Sequence, residues 1–279
     1  MKQAGIIGHP LGHSLSPVVQ QAAFEQSGLD VRYERWDTPP PALASRIASL
    51  RWPGCLGANV TIPYKESVLP FLDELGGQSA RVGAVNTVVN RDGRLFGFNT
   101  DGPGFVASLR NEASFEPAGK RVLLLGAGGA ARGIAFALAE ARAAELAIWN
   151  RNPERAVQLA RDVAAAGAGV RQVGSVATAG YELVVNCTSV GMQGGAAEGA
   201  SPCGFDPAPP GALAVDIVYR PPETPFLAAA RAAGFRVMGG LSMLIFQGAL
   251  AFELWTGVPA PTDIMFEAAR QALRAERLA

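Results

Sequence analysis

The chain has 279 residues, enough for two domains of moderate size that each bury a core, which excludes a small scaffold stapled by disulfides or metal. Hydrophobic residues make up 49% of it and charged residues 17%, so apolar burial can offset the entropy of ordering and a disordered chain is excluded. Lys and Arg number 24 against 24 for Asp and Glu, and with zero formal charge no global field draws in a nucleic acid or an anionic membrane.

At the N-terminus, His, Gly and Pro interrupt the apolar run of AGIIGHPLGHS, which argues against a signal peptide, and AGIIG reads as a strand. Ser14-Leu-Ser16-Pro17 then leads into VVQQAAFEQS and Gly28. This pattern predicts a helix with Ser16 as N-cap, Pro17 as first helical residue and Gly28 as the stop. Capping accounts for Ser16 but not for Ser14. Two hydroxyls beside unpaired backbone N–H groups would equally make a neutral cradle for a small carboxylate. The two histidines, His9 and His13, have no acid near them in sequence and are assigned no chemistry.

VRYERWD and CLGANVTI are the next strands. In Asn59-Val-Thr61-Ile-Pro63-Tyr64-Lys65, alternation places Asn59 and Thr61 on one side of a strand end, and Pro63 suits a first helical turn. Lys65 would then stand at the positive end of a helix dipole, which lowers the amine pKa towards a range useful for proton exchange; the alternative is a solvated lysine. AVNTVVN and RLFGFN form a hairpin about Asp92-Gly93, so this sheet is mixed. Asn86 in GAVNT is either a ligand contact or a turn residue, and Asp101, ahead of Pro103 and FVASLR, is an attractive N-cap.

From Arg121 the alternation becomes regular. RVLLLG, ELAIWN, ELVVNCT and ALAVDIV read as buried strands, and GAARGIAFALAEAR, PERAVQLARDVAA and PFLAAARAAG as helices between or after them, a doubly wound α/β segment. Gly126-Ala127-Gly128-Gly129-Ala130 lies between the first strand and its helix, where glycines can bring backbone N–H groups against a pyrophosphate or can serve close packing alone. The next strand ends in Asn150-Arg151, with Arg155 following. Where an NAD site usually has a carboxylate, these side chains can pair with a 2′-phosphate, favouring NADP; the bland reading is two surface arginines. Asn186, Thr188 and Ser189 end another strand, where open α/β sheets place ligands, and residues Gly194 to Gly211 form a loop. Leu241 to Trp255 is apolar on several faces, and a last helix is expected from Asp263 to Arg277. The apolar stretch from Val237 to Phe252 falls short of a membrane span. The three cysteines, Cys55, Cys187 and Cys203, offer neither a disulfide framework nor a zinc site, which fits a reducing cytoplasm.

SLSP, NVTIPYK, GAVNT, NTDG, GAGGAAR, NRNPERA, NCTSVGM, DIVY and GGLSMLIFQ, in this order from Ser14 to Gln247, together resemble the shikimate dehydrogenase family. The resemblance implies reversible, NADPH-dependent reduction of 3-dehydroshikimate to shikimate, a step towards aromatic amino acids. It implies that Ser14, Ser16 and Tyr219 bind the substrate carboxylate and that Thr61, Asn86 and Gln247 bind its hydroxyls, with Asn59, beside Thr61, also among the substrate-binding residues. Lys65 and Asp101 would be the catalytic pair. Gly126, Ala127, Gly128, Gly129 and Ala130 would hold the pyrophosphate, Asn150, Arg151 and Arg155 the 2′-phosphate, and Thr188, Met192, Ile217 and Gly240 would line the rest. The implied architecture is an α/β substrate domain over residues 1–101 and 241–279, with C-terminal helices returning to it, and a Rossmann NADP domain over 102–240. A cytoplasmic monomer or homodimer is expected. Alternatives are a quinate/shikimate dehydrogenase using both NAD and NADP, a non-catalytic sensor on the same fold, and an NADP-binding interaction protein.

Overall fold

Strand β1 (Lys2–Gly8) opens the chain and is buried along most of its length because it lies inside a sheet, between β2 (Val31–Asp37) and β3 (Cys55–Val60), and pairs parallel with both. Between these strands run α1 (Ser16–Gln26) and α2 (Leu43–Ser49). The two-residue strand β4 (Glu74–Leu75) and the short α3 (Ser79–Val82) precede an antiparallel hairpin, β5 (Thr87–Arg91) and β6 (Arg94–Phe98). Its turn residues Asp92 and Gly93 both have positive φ, 53° and 82°, as a tight hairpin turn of the expected Asp-Gly type requires. The strand order is β2-β1-β3-β5-β6-β4, a mixed sheet. Ile7, Trp36, Ile47, Leu50, Val60 and Leu95 form part of the core against one of its faces.

Helix α4 (Asp101–Ala113) leads into a second sheet built from β7 (Arg121–Leu125), β8 (Glu145–Trp149), β9 (Val170–Gln172), β10 (Leu183–Asn186), β11 (Leu213–Asp216) and β12 (Arg236–Met238). Helices α5 (Gly129–Glu140), α6 (Pro153–Ala164) and α7 (Pro225–Ala232) connect them. Every pairing is parallel, and the order β12-β11-β10-β7-β8-β9 runs outward in two halves from β7 and β10. Counted within this unit the order is 6-5-4-1-2-3, that of the Rossmann fold. Phe205, in the long loop before β11, packs against Phe226 and Phe235 and closes that side of the core. The chain ends in α8 (Leu241–Thr256) and α9 (Thr262–Leu278).

This computed structural model describes residues 1–278 apart from His13, Ala166 and Ala168, so the expectation for His13 lies outside the described residues. The chain divides into two units, Met1–Gly104 with Leu244–Ala279, and Phe105–Met243. Helix α1 ends as its sequence foretells: Gly28 has φ +65°, its N–H bonds to Glu25 O, and the Leu29 N–H bonds to Phe24 O, a Schellman closure. Among the described residues no helix is long and apolar enough to cross a membrane.

Candidate active site

In the first unit β1 is followed through α1 by β2 on one side, while β3 pairs on the other. The C-terminal ends of β1 and β3 therefore flank a topological switch point, where open α/β sheets bind ligands. The segment after β3 carries Thr61 and Lys65, but no α-helix begins there. Its backbone groups are spent elsewhere: Thr61 N–H bonds to Ile7 O, Tyr64 N–H to Thr61 O, and the Lys65 carbonyl accepts from Val85 N–H at 2.7 Å. The expected helix dipole at Lys65 is thus corrected, and a neighbouring carboxylate takes its place. Lys65 Nζ lies 2.5 Å from Asp101 Oδ2, with the two side chains only 13% and 4% exposed.

Asp101 is likewise not a cap. It is the first residue of α4, and its other oxygen, Oδ1, accepts from Asn86 Nδ2 at 2.9 Å, while Asn99 Oδ1 accepts from Gly102 N–H at the helix start. Asn86 is a buried hub rather than a turn residue. The Thr100 N–H can only donate, and it bonds to Asn86 Oδ1 at 2.7 Å, so the amide Nδ2 must face Thr100 Oγ1, Asp101 Oδ1 and Gln247 Oε1. That orientation presents a donor to Asp101 and suits an ionised carboxylate. Below it, Asn59 is fully engaged: Oδ1 accepts from Tyr33 OH at 2.7 Å, and Nδ2 donates to Asn86 O and Thr87 Oγ1. With 5% exposure, Asn59 also supports Asn86 from below. Thr61, half-buried, keeps its hydroxyl clear of such bonds among the described residues.

The two serines exchange roles. Ser16 is the first residue of α1, which starts from Leu15 without a side-chain cap, and the Ser16 N–H bonds instead to Ser14 Oγ at 3.3 Å. The Ser16 hydroxyl has no partner among the described residues although the residue is 7% exposed, which leaves it and the helix N-terminus for a ligand. Arg35 on β2, which sequence reading passed over, donates from Nη2 to the Ser14 carbonyl at 2.9 Å. Gln247, on α8, is packed against α4 where Gly104 leaves no room: a Cβ at residue 104 would lie 2.5 Å from the Gln247 backbone nitrogen.

In the second unit the switch point falls between β7 and β10, whose ends lead into Gly126–Gly129 and Cys187–Thr188. Gly126 has φ +120°, a conformation glycine alone adopts readily, and a Cβ there would press on the Cys187 carbonyl at 3.1 Å. Helix α5 follows with Gly128 as its N-cap, so no N-cap side chain satisfies its first N–H groups, and among the described residues open space surrounds the position where a Cβ of residue 128 would sit. Ala127 is buried under this turn and Ala130 lies in the first helical turn. Such a cradle fits a pyrophosphate. At the end of β8, Asn150 Nδ2 donates to Asn152 O, and Asn152 caps α6 by accepting from Glu154 N–H. Arg151 therefore precedes the helix, is exposed and makes no ion pair among the described residues; Arg155 is exposed in the first turn.

A second polar network, which sequence reading also missed, sets the loops after β10 and β11. Asp216, fully buried, accepts from Asn186 Nδ2, Val218 N–H and Thr224 Oγ1 at 3.0, 3.0 and 2.6 Å. Burial pushes its carboxyl up to about 6. Asn186 Oδ1 in turn accepts from the Thr188 N–H and hydroxyl, so Thr188 is held at its turn. Ile217 and Tyr219 lie in the loop beyond Asp216, half-buried, as is Met192. Gly240 touches this loop closely, since a Cβ there would lie 2.1 Å from Ile217 O. The predicted residues thus fall into two groups, with Tyr219 in the second unit and the other substrate contacts in the first. Burial raises the Cys55 and Cys203 thiols to about 11 and about 12, so both stay protonated packing groups.

Family models match along the chain: the shikimate dehydrogenase substrate binding domain over residues 6–88, shikimate/quinate 5-dehydrogenase over 109–193, and the shikimate 5′-dehydrogenase C-terminal domain over 240–274. Shikimate dehydrogenase (NADP(+)) of Moorella thermoacetica is 48% identical over 277 residues, 97% of this chain and 93% of that protein. Among solved structures, shikimate 5-dehydrogenase of Thermus thermophilus, in complex with NADP(H) and shikimate, superposes with TM-score 0.87 at 45% identity, covering 98% of this chain and 100% of that one. The ligand-free 5-ketofructose reductase of Gluconobacter sp. strain CHM43 superposes with TM-score 0.86 at 33% identity, covering 97% and 98%.

Proposed function

Since the chain belongs to the shikimate dehydrogenase family, we propose that it reversibly reduces 3-dehydroshikimate to shikimate with NADPH, in aromatic amino-acid biosynthesis. The observation that carries this reading is the Lys65–Asp101 pair, 2.5 Å apart and largely buried, at the switch point of the first unit. Residues 1–101 and 241–279 are read as the substrate domain and 102–240 as the NADP domain, in a cytoplasmic enzyme acting as monomer or homodimer.

The glycine turn Gly126–Gly129 with Ala130 would hold the pyrophosphate on unpaired N–H groups. Arg151, Arg155 and Asn150 would hold the 2′-phosphate, and Thr188, Met192, Ile217 and Gly240 would line the remainder. NADPH, when bound, supplies the hydride for the ketone carbon. Lys65 donates a proton from Nζ to the oxygen that becomes the hydroxyl, and in the reverse direction the neutral amine recovers it. Asp101 Oδ2, which accepts from Nζ at 2.5 Å, orients the amine and shares its proton. Ser14, Ser16 and Tyr219 take the substrate carboxylate, while Thr61, Asn86 and Gln247 take its hydroxyls.

The test is the loss of NADPH absorbance when purified protein meets 3-dehydroshikimate, with 5-ketofructose as the parallel substrate. Rapid oxidation with 3-dehydroshikimate is expected. Oxidation with 5-ketofructose alone would move the substrate assignment, and none with either would favour the sensor.

A further inference from the structure

We propose that Arg35 supplies the positive charge that draws the substrate carboxylate to Ser14 and Ser16, making the cradle cationic rather than neutral. This rests on the substrate assignment above. In β2 the side chains of Tyr33, Arg35 and Asp37 point to one face; Tyr33 is buried there, and its N–H is bonded to Gln21 of α1. Two residues further on, this face presents Arg35 beside the start of the same helix. Its Nη2 donates to the Ser14 carbonyl at 2.9 Å, one residue's breadth from the Ser14 hydroxyl that receives the Ser16 N–H.

Arg35 is exposed and makes no ion pair among the described residues. The acid nearest along its strand face, Asp37, makes no bond to it and is hydrogen-bonded to His9 Nδ1 at 3.1 Å. The guanidinium has five N–H donors and spends one on Ser14, so its charge is uncompensated beside a site whose own groups are neutral hydroxyls and backbone N–H. A bound carboxylate would lie well within a Debye length of it. Direct contact is not required, because the field alone favours an anion over a neutral isostere.

Arg35 also braces the Ser14 loop, and the experiment must separate bracing from charge. Shikimate and its uncharged methyl ester are titrated into wild type, Arg35→Gln and Arg35→Lys by calorimetry, with NADP saturating throughout. We expect Arg35→Gln to weaken shikimate about three- to tenfold and the ester less than about twofold, with Arg35→Lys close to wild type. In wild type alone, added salt should weaken shikimate more than the ester. Equal weakening of acid and ester would assign Arg35 to bracing only and overturn the proposal. So would an unchanged Arg35→Gln, or a salt response common to both ligands. Wild-type oxidation of shikimate by NADP is the control: its absence would overturn the substrate assignment, whereas the outcomes above concern Arg35 alone.

Discussion

Replacing Asp101 by Asn tests the geometry of the catalytic pair most severely, because the two atoms facing the carboxylate are both donors. Lys65 Nζ lies 2.5 Å from Oδ2 and Asn86 Nδ2 lies 2.9 Å from Oδ1. An Asn side chain has one acceptor and one NH₂ group, so in either orientation a donor meets a donor. Asn86 cannot turn to relieve this, since the Thr100 N–H holds its oxygen at 2.7 Å. A buried unsatisfied donor costs about 1–3 kcal/mol, and Lys65, only 13% exposed, also loses its counter-ion. The expected total is about 3 kcal/mol, which for a chain of this size lowers Tm by roughly 6–12 °C. Turnover should fall at least about 10²-fold, because the variant cannot share a proton. Lys65→Met in the same chain removes one of the clashing donors, so the double variant should be more stable than the sum of the single losses. Calorimetric Tm values and steady-state kcat for all four proteins decide the matter. Wild-type turnover in Asp101→Asn, or strictly additive losses of stability, would show that the Lys65–Asp101–Asn86 bonds do not govern this site.

Neutralising Arg151 and Arg155 should weaken NADP about tenfold or more per arginine while NAD changes little, as read by titration with both cofactors; an equal loss for both would remove these residues from the 2′-phosphate. Gly104→Ala places a methyl group 2.5 Å from the Gln247 backbone and should raise the KM for shikimate about tenfold without weakening NADP, which initial-rate kinetics with each substrate varied will measure. For Asp216, burial raises the folded-state pKa from 3.8 to about 6, so the folded chain binds this proton more tightly than the unfolded one. Its contribution to stability is therefore full below pH 3.8 and is lost as pH rises through about 6, a change of about 3 kcal/mol. Asp216→Asn should flatten the Tm profile over that window, and an unchanged slope would contradict the assignment.

Much of the fold is legible because its local signals agree with tertiary demand. VRYERWD alternates and β2 covers those same residues; Asp92-Gly93 demands positive φ and receives it; RVLLL before a glycine turn can only be a buried strand feeding a helix. The short α2 and the three-residue β9 and β12 escape, since so few residues give periodicity little to show and packing decides them. Caps failed where chemistry competed. Asp101 is an excellent N-cap by propensity, but its oxygens go to Lys65 and Asn86; Ser16 is another, yet it is the first helical residue and its N–H bonds to Ser14 Oγ. Pro63 suggested a helix, but the Thr61 N–H goes to Ile7 of β1 and the Lys65 carbonyl to the Val85 N–H, and a turn forms there instead. The supporting networks around Asn59 and Asp216 join residues 26 to 30 positions apart, a relation no local pattern announces.

Lys65 acts on charge developing in the transition state. The most direct test of this role is Lys65→Ala, with kcat from steady-state oxidation of shikimate and the shikimate Kd from calorimetry on the same preparation. The kcat should fall about 10²-fold or more, with a Kd changed only a few-fold. A raised KM with unchanged kcat would make Lys65 a binding residue and contradict the mechanism.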